Sequence, residues 1–185
     1  MKRDGSTTTL RERLHALAEF LPEFENPGFE FGKWVTPPAS EPGVMIMPYL
    51  ALGPVAESLH RTCYELGWVL QGFDWPAWRN TTEATQLCDN PSALERATPD
   101  QLARLLTVLI RQDRFCEGAL EAAYKGGLLV RILRRAASLE AGLTGRCELT
   151  GDGAVYEVEA GRSGASSPRA DRRKLRRSRR RSNVQ

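Results

Sequence analysis

The sequence predicts a mostly α-helical (α+β) domain of five to seven helices, with a small two-stranded β-ribbon near its N-terminal third. Leucines recur at helical spacing along most of residues 10–143, as expected for helices that bury one face. Hydroxyl residues and prolines stand where these leucine patterns begin, which is typical of helix starts. Between residues 29 and 51 the helical period gives way to β-favouring residues separated by turn formers, which predicts the ribbon.

The charges divide the chain into two parts. Its 185 residues suit one domain of ordinary size. Residues 161–185 hold ten basic residues and one acid, a net charge of +9, whereas the other 160 residues hold 16 basic and 22 acidic ones, a net charge of −6. Large apolar residues are almost absent after residue 160, so we predict a disordered basic tail there. The other predicted segments are a flexible N-terminus (1–9), a helical domain (10–143) and a short hairpin or linker (144–160).

The first predicted helix spans Leu10–Leu21. Thr9 and Glu12 form a capping-box pattern, in which each side chain accepts a hydrogen bond from a backbone N–H that the helix start leaves unpaired. Leucines then follow on one face of the helix, and Pro22 is expected to end it.

The predicted ribbon pairs Phe29–Val35 with Val44–Leu50 in antiparallel orientation. Pro48 cannot donate a ladder hydrogen bond, so its strand is expected at an edge. A two-stranded ribbon is only marginally stable alone, so we expect it to lie against the helices.

Further helices are predicted along the rest of the domain. Their expected ranges are Pro54–Leu70, Thr82–Leu87, Pro91–Ala97, a helix starting after the capping residue Thr98, a helix carrying Phe115, Leu120 and Ala123, and Leu128–Leu139. The last of these should expose Arg131, Arg134 and Arg135. Beyond it, Cys147–Leu149 and Ala154–Val158 alternate around a Gly-Asp-Gly turn, which favours a small hairpin.

Six strings in the helical domain are distinctive: Phe20–Phe24, Met47–Tyr49, Gly67–Val69, Phe73–Trp78, Arg114–Gly118 and Leu128–Arg135. Together they resemble an uncharacterised bacterial domain family of unknown function, over about Leu10–Leu139. The resemblance implies no substrate, cofactor or catalytic residue. The chain beyond Leu143 departs from the family pattern, so the role of the tail has to be argued from its charge.

The segment Phe73–Arg79 places Trp75 and Trp78 beside Asp74. One interpretation is a ligand pocket in which the indoles stack on a flat molecule and Asp74 fixes its polar edge, with Arg114 and Glu117 as further candidates. The alternative is structural. The aromatic rings then anchor a turn to the core, and Asp74 caps a helix or bonds local backbone N–H groups.

Asp113 and Glu117 are four residues apart, so they would share a helix face and could hold a divalent cation or perturb each other's pKa. Two carboxylates are too few for a metal site, and we favour salt bridges from Arg111 or Arg114 instead. No histidine lies near Cys116 in the sequence, so we expect a buried, inert thiol. We therefore predict no catalytic residue, no cofactor and no metal site.

Cysteine usage and hydropathy bear on location. The four cysteines are widely spaced and the first residues contain no apolar signal segment, which favours reduced thiols in the cytoplasm. The longest largely apolar run, residues 44–56, is too short to cross a membrane and is interrupted by prolines. We expect no membrane association.

The tail contains a dense run of basic residues that can neutralise phosphates and release their counterions. They are Arg172, Arg173, Lys174, Arg176, Arg177, Arg179, Arg180 and Arg181. No aromatic residue is interleaved, so any nucleic-acid binding should be independent of base sequence. The alternatives are a solvated tail without a partner and a tail that folds back on the acidic domain.

Three functions remain open at this point. We favour a non-catalytic intracellular interaction or regulatory module with an unknown protein partner, because no catalytic motif is present. The first alternative is a nucleic-acid-associated protein that binds non-specifically through its tail. The second is a small-ligand receptor or enzyme that uses the Trp75/Trp78 turn.

Overall fold

The computed structural model describes residues 8–38 and 46–148, with side chains described up to residue 144. These residues form nine helical segments and one two-stranded antiparallel sheet, so the predicted mostly α class with a small ribbon is confirmed. In chain order the elements are α1 (Leu10–Ala18), α2 (Leu21–Glu25), β1 (Gly32–Val35), β2 (Tyr49–Leu52), α3 (Pro54–Glu65), α4 (Trp75–Arg79), α5 (Thr82–Asp89), α6 (Pro91–Leu94), α7 (Pro99–Asp113), α8 (Ala119–Lys125) and α9 (Leu128–Glu148). The two helices absent from the prediction, α2 and α4, have five residues each and are too short to show a helical period.

The core is built mainly from the leucine-rich faces of α1, α7 and α9. The helix α9 contacts α1, α2, α6, α7 and α8, and the pairing of α1 with α9 is the most extensive. The buried residues repeat at the helical spacing that the sequence predicted. They include Leu14, Leu17, Leu102, Leu105, Leu106, Ile110, Leu129, Ile132 and Leu133. No helix in the described part of the chain is long and apolar enough to cross a membrane.

The predicted capping box at Thr9 is present, and the predicted cap Thr98 forms a second capping box with Gln101. In the first, the backbone N–H of Thr9 donates to Glu12 Oε2 at 2.7 Å, and the Thr9 hydroxyl accepts from the N–H of Glu12 at 3.3 Å. The expectation that Pro22 ends the first helix is wrong. The helix α1 ends at Ala18, and Pro22 lies in the first turn of α2, where a missing N–H leaves no helical bond unmade.

The helix α3 ends earlier than the predicted Leu70, because Gly67 adopts a left-handed φ of +68°. The N–H of Gly67 donates to the Tyr64 carbonyl at 3.3 Å, and the N–H of Trp68 donates to the Cys63 carbonyl at 2.9 Å. This pair of bonds is a Schellman motif, which satisfies carbonyls that the end of a helix leaves unpaired. A glycine is favoured there because it has no Cβ to oppose a positive φ.

The residue that follows this turn, Trp68, is fully buried and is held by Arg13 of α1. Its Nε1 donates to the Arg13 carbonyl at 3.3 Å, and the Arg13 guanidinium lies 4.5 Å from the centre of the indole ring. Arg13 Nη2 donates in turn to the carbonyl of Gly67 at 3.1 Å. These contacts combine a cation–π interaction with hydrogen bonds, and they fix the start of the segment that leads to α4.

The helix α9 continues to Glu148, although the sequence predicted an end near Leu139. The predicted hairpin is therefore wrong at Cys147 and Glu148, which are helical, and the rest of that hairpin lies outside the described residues. Contact with α1 extends past the predicted end, since Glu140 Oε1 lies 3.3 Å from Nδ1 of His15.

The ribbon pairs β1 with β2 in a register that places Trp34 opposite Leu50. The prediction that Pro48 lies within the second strand is wrong. Residues 46–48 are outside the strand, which begins at Tyr49, directly after the proline that cannot donate to the ladder. The base of the ribbon lies against the helices through a cluster of rings, as predicted for a marginal sheet. The cluster consists of Phe24, Phe29, Phe31 and Tyr124, with ring centroids 4.6–6.4 Å apart.

Candidate protein-interaction surface

Two residues of the tryptophan turn have structural roles. Asp74 is the N-cap of α4, and its Oδ1 accepts a hydrogen bond from the N–H of Ala77 at 3.1 Å. The indole of Trp78 is buried against Phe73, with ring centroids 5.9 Å apart. For these two residues the contacts are those of the structural interpretation, in which a ring anchors the turn and an acid caps a helix.

The polar edge of Trp78 is fixed by Glu83 of α5. Its Nε1 donates to Glu83 Oε2 at 2.8 Å, and the Gln101 amide donates to Glu83 Oε1 at the same distance. Arg104 lies 3.3 Å from the same carboxylate. The hydrogen bonds from Gln101 and Trp78 hold the pKa of Glu83 below its usual value. The carboxylate thus joins α4, α5 and α7.

Trp75 has a different environment, because it packs on an exposed ring. It is half-buried and stacks on Phe115, with centroids 6.2 Å apart and an angle of 24° between the ring planes. Phe115 is 79% exposed. The expectation that Phe115 belongs to a helix with Leu120 is wrong, since residues 114–118 form a turn between α7 and α8.

Two carboxylates hold this turn in place by accepting backbone N–H groups. Asp113 Oδ1 accepts from the N–H of Leu120 at 2.9 Å, and Glu117 Oε1 accepts from the N–H of Leu50 in β2 at 2.8 Å. The predicted salt bridges to Arg111 or Arg114 do not form among the described residues, and the two acids do not share a helix face. Both acids instead satisfy amide groups that would otherwise be unpaired at a helix start and at a strand edge.

A second exposed aromatic residue, Trp34 of β1, lies on the same turn. Its Nε1 donates to Glu121 Oε2 at 3.1 Å, and Lys125 Nζ lies 2.9 Å from Oε1 of that carboxylate. Gly118 has a φ of +82°, and a Cβ added to it would lie 2.7 Å from Cζ2 of Trp34. The glycine therefore permits both the turn and the close approach of the indole. Trp34 remains 49% exposed.

We define Trp34, Trp75 and Phe115 as the aromatic surface. Trp75 stacks on Phe115 of the turn 114–118, and Trp34 packs close to Gly118 of the same turn and donates to Glu121 of α8. Of the residues proposed from sequence, the structure brings Trp75 to the turn that carries Arg114 and Glu117. It leaves Asp74 as a cap and Trp78 in the core. The basic residues of the tail lie outside the described residues.

Sequence reasoning missed Trp34 and Phe115. Trp34 is far from the turn in the sequence, and Phe115 has the spacing of a helical residue. One local signal was available in Gly118, because a glycine after several polar residues often ends or begins a helix. The signal locates a turn, but the ring that packs on that glycine comes from a distant strand.

A cavity of about 260 Å³ lies beside Trp78 and is lined by residues of α4, α5 and α7. Asp74, Trp75, Arg114 and Glu117 are not part of its lining. In the described residues, the proposed ligand-binding side chains therefore do not converge on this cavity.

Two of the thiols in the described residues have raised pKa values. Burial raises the pKa of Cys63 to about 12, and burial also raises the pKa of Cys88. The expectation of a buried Cys116 is wrong, because it lies exposed in the turn 114–118. Burial lowers the pKa of His60, which favours the neutral imidazole. Within residues 8–38 and 46–144, no group of three His, Cys, Asp or Glu side chains could hold a metal ion.

These features define a mostly helical domain with a small ribbon and an exposed aromatic surface on a fixed turn. The chain belongs to a family of unknown function, DUF6508, whose model matches residues 9–142. The family resemblance stated for Leu10–Leu139 is confirmed by this match. No curated protein and no solved structure matches the chain.

Proposed function

We propose that the domain is a non-catalytic protein-interaction module that binds a partner protein through the aromatic surface. The observation that carries this proposal is the 79% exposure of Phe115 on a turn that is hydrogen-bonded at both of its ends. Burying a phenylalanine side chain is worth about 1.5–3 kcal/mol, so a partner that covers this ring gains affinity. Because the turn is already ordered, little conformational entropy is lost on binding.

The chemistry around the rings indicates what the partner presents. Trp34, Trp75 and Phe115 offer apolar ring faces, and aromatic residues of this kind dominate binding energy at protein interfaces. Arg114 is exposed beside Phe115 and forms no ion pair among the described residues. The fitting partner is a protein segment that places an apolar side chain on the rings and an acidic side chain near Arg114.

The same proposal includes a bacterial cytoplasmic location. Cys63, Cys88 and Cys116 are free thiols, and free thiols are typical of proteins in a reducing compartment. An interaction module with an exposed cysteine next to its binding ring is best suited to such a compartment.

The proposal is tested by site-specific photo-cross-linking in cells of the source organism. A benzophenone amino acid is placed at position 115, and a matched chain carries it at Leu143, an apolar residue of α9 that is 37% exposed. We expect a discrete protein adduct from position 115 that is lost with Trp75→Ala, and no such adduct from position 143. Equal adducts at both positions, or none at position 115, would contradict the proposal.

The cross-linked protein is then purified and titrated with the unmodified full chain. Phe115→Ala should weaken binding at least about tenfold, which corresponds to about 1.4 kcal/mol, whereas Leu143→Ser should leave the affinity unchanged. An affinity that Phe115→Ala does not alter would remove the aromatic surface from the interface. Thermal stabilisation by nucleotides that Trp75→Ala abolishes would favour the ligand-binding alternative instead.

A second candidate function, association with nucleic acid, has the charge of the tail in its favour. Residues 161–185 carry +9 against −6 for the rest of the chain, so contact with a polyanion would come mainly from the tail. We propose it as an addition to the interaction module, because the two functions use different residues.

A further inference from the structure

A groove between α6 and α9 is lined by three arginines from one helical turn. Arg131, Arg134 and Arg135 stand at i, i+3 and i+4 along α9, so their side chains leave the helix on the same side. The groove has a volume of about 470 Å³, and Leu94 of α6 contributes to its apolar part. Its size is sufficient for a small phosphorylated molecule.

Each of the three guanidinium groups is positioned by one contact. Arg131 Nη2 donates to the Cys88 carbonyl at 3.1 Å, and Arg135 Nε donates to the Ala97 carbonyl at 2.8 Å. Arg134 Nε lies 2.6 Å from Glu25 Oε1. The sequence prediction that all three arginines are exposed is therefore wrong for Arg131 and Arg135, which are half-buried because they bond to these carbonyls.

The positive charge of this cluster is only partly balanced. Carbonyl oxygens carry no net charge, so among the contacts just described only Glu25 opposes the three cations. Glu95 also lines the groove, but it forms no ion pair within the described residues. Like charges at i, i+3 and i+4 on a helix repel each other and destabilise it. In addition, Arg131 Nε is buried without an acceptor.

We propose that this groove binds a phosphate group of a small anionic ligand. Guanidinium groups present paired N–H donors that match phosphate oxygens, and each of the three arginines keeps donors that its structural contact does not use. A phosphate bound there relieves the repulsion within the cluster. Arg131 and Arg134 also line an adjoining hollow of about 580 Å³ together with Lys125, which gives room for the rest of the ligand.

The test uses the full chain and inorganic phosphate, with acetate as a carboxylate of lower charge at equal ionic strength. Arginine Nε–H signals in ¹⁵N NMR spectra report each side chain separately, so binding to the tail is distinguished from binding to the groove. We expect saturable shifts for Arg131, Arg134 and Arg135 with phosphate, and no saturable shift for Arg61, an exposed arginine of α3. Saturation by acetate with equal affinity, or shifts that never saturate, would overturn the proposal.

Two substitutions that change the charge of the groove in opposite directions test the proposal further. Arg134→Gln removes a cation that supports no backbone carbonyl, and it should weaken phosphate binding about tenfold. Glu95→Gln removes a negative charge from the lining, and it should strengthen binding. Arg61→Gln is the matched control and should change nothing. If Arg134→Gln and Glu95→Gln leave the phosphate affinity equal to that of Arg61→Gln, the groove is not a phosphate site.

Discussion

At the scale of single residues, Thr107 shows how a buried polar group can determine where a distant segment lies. It is fully buried in α7, and its hydroxyl accepts from the N–H of Leu70 at 2.9 Å. The same hydroxyl lies 2.7 Å from the carbonyl of Ala103, to which it donates. Arg111 Nη2 supports this arrangement by donating to the Leu70 carbonyl at 2.8 Å. The hydrogen bonds that Thr107 and Arg111 form with Leu70 fix the segment between α3 and α4 against α7.

We predict that Thr107→Val lowers the free energy of unfolding by about 1 kcal/mol, because the half-buried N–H of Leu70 then loses its acceptor. Valine has nearly the same shape, so the change comes from the hydroxyl. Urea denaturation of the two proteins measures the difference. Thr107→Ser keeps the hydroxyl and is the control. If Thr107→Val unfolds at the same urea concentration as the natural chain, the hydrogen bond to Leu70 does not contribute to stability.

The role of a single residue was predicted correctly when the residues that determine it lie close by in the sequence. Thr9 and Thr98 were assigned correctly as helix caps, because a cap and its partner lie three residues apart in the sequence. Phe115 and Cys116 were assigned incorrectly, since the helix that carries Leu120 and Ala123 begins only at Ala119, and both residues lie exposed in the turn before it. Arg131 and Arg135 were expected in solvent because their backbone acceptors lie in other elements.

At the scale of elements, the long helices were predicted well and their ends less well. The leucine faces of α1, α7 and α9 follow from a period that many residues repeat. The ends depend on one residue each, as with Gly67 after α3, or on packing that the sequence does not reveal, as with the extension of α9 beyond Leu139. The turn 114–118 also depends on packing that the sequence does not reveal, because Glu117 accepts a hydrogen bond from Leu50 of the ribbon.

Gly118 allows a prediction about this turn. Gly118→Ala places a Cβ 2.7 Å from the Trp34 ring at a φ of +82°, so the substitution should strain the backbone and displace the indole. Gly72→Ala is the matched control, because Gly72 has a φ of +67° and no atom within 4 Å of the added Cβ. The backbone strain alone is worth roughly 1–2 kcal/mol in both variants.

We therefore expect Gly118→Ala to lower the free energy of unfolding by more than Gly72→Ala does, in chemical denaturation. The indole N–H signal of Trp34 should also move in Gly118→Ala, because its hydrogen bond to Glu121 depends on the position of the ring. Equal losses of stability together with an unmoved Trp34 signal would show that the turn adapts to the added methyl group. The aromatic surface would then not depend on the glycine.

At the scale of the whole molecule, the aromatic surface combines residues that are far apart in the chain. Trp34 comes from the ribbon, Trp75 from α4 and Phe115 from the turn after α7. No local pattern connects three positions with such separations, so the sequence pointed to Trp75 but not to Trp34 or Phe115 as its neighbours on this surface. The net charge of a segment can be predicted from the sequence alone, because it is a sum over residues and does not depend on the fold. The opposite signs of the two parts are visible directly in the sequence.

This charge separation leads to a prediction for the full chain. Deleting residues 162–185 removes ten basic residues, so retention on an immobilised polyanion at low salt should fall to that of an acidic protein. For the full chain, the logarithm of the affinity for DNA should decrease linearly with the logarithm of the salt concentration. The slope should be about −0.9 for each phosphate that the tail neutralises.

The matched control is a full chain in which the order of the tail residues is permuted. Because the tail contains no aromatic residue, its binding should depend on charge and not on order, so the permuted chain should bind DNA as the natural one does. A permuted tail that binds much more weakly would indicate recognition of a defined sequence or structure. Unchanged retention after the deletion would locate polyanion binding in residues 1–161, where the arginine groove of α9 would be the first place to test.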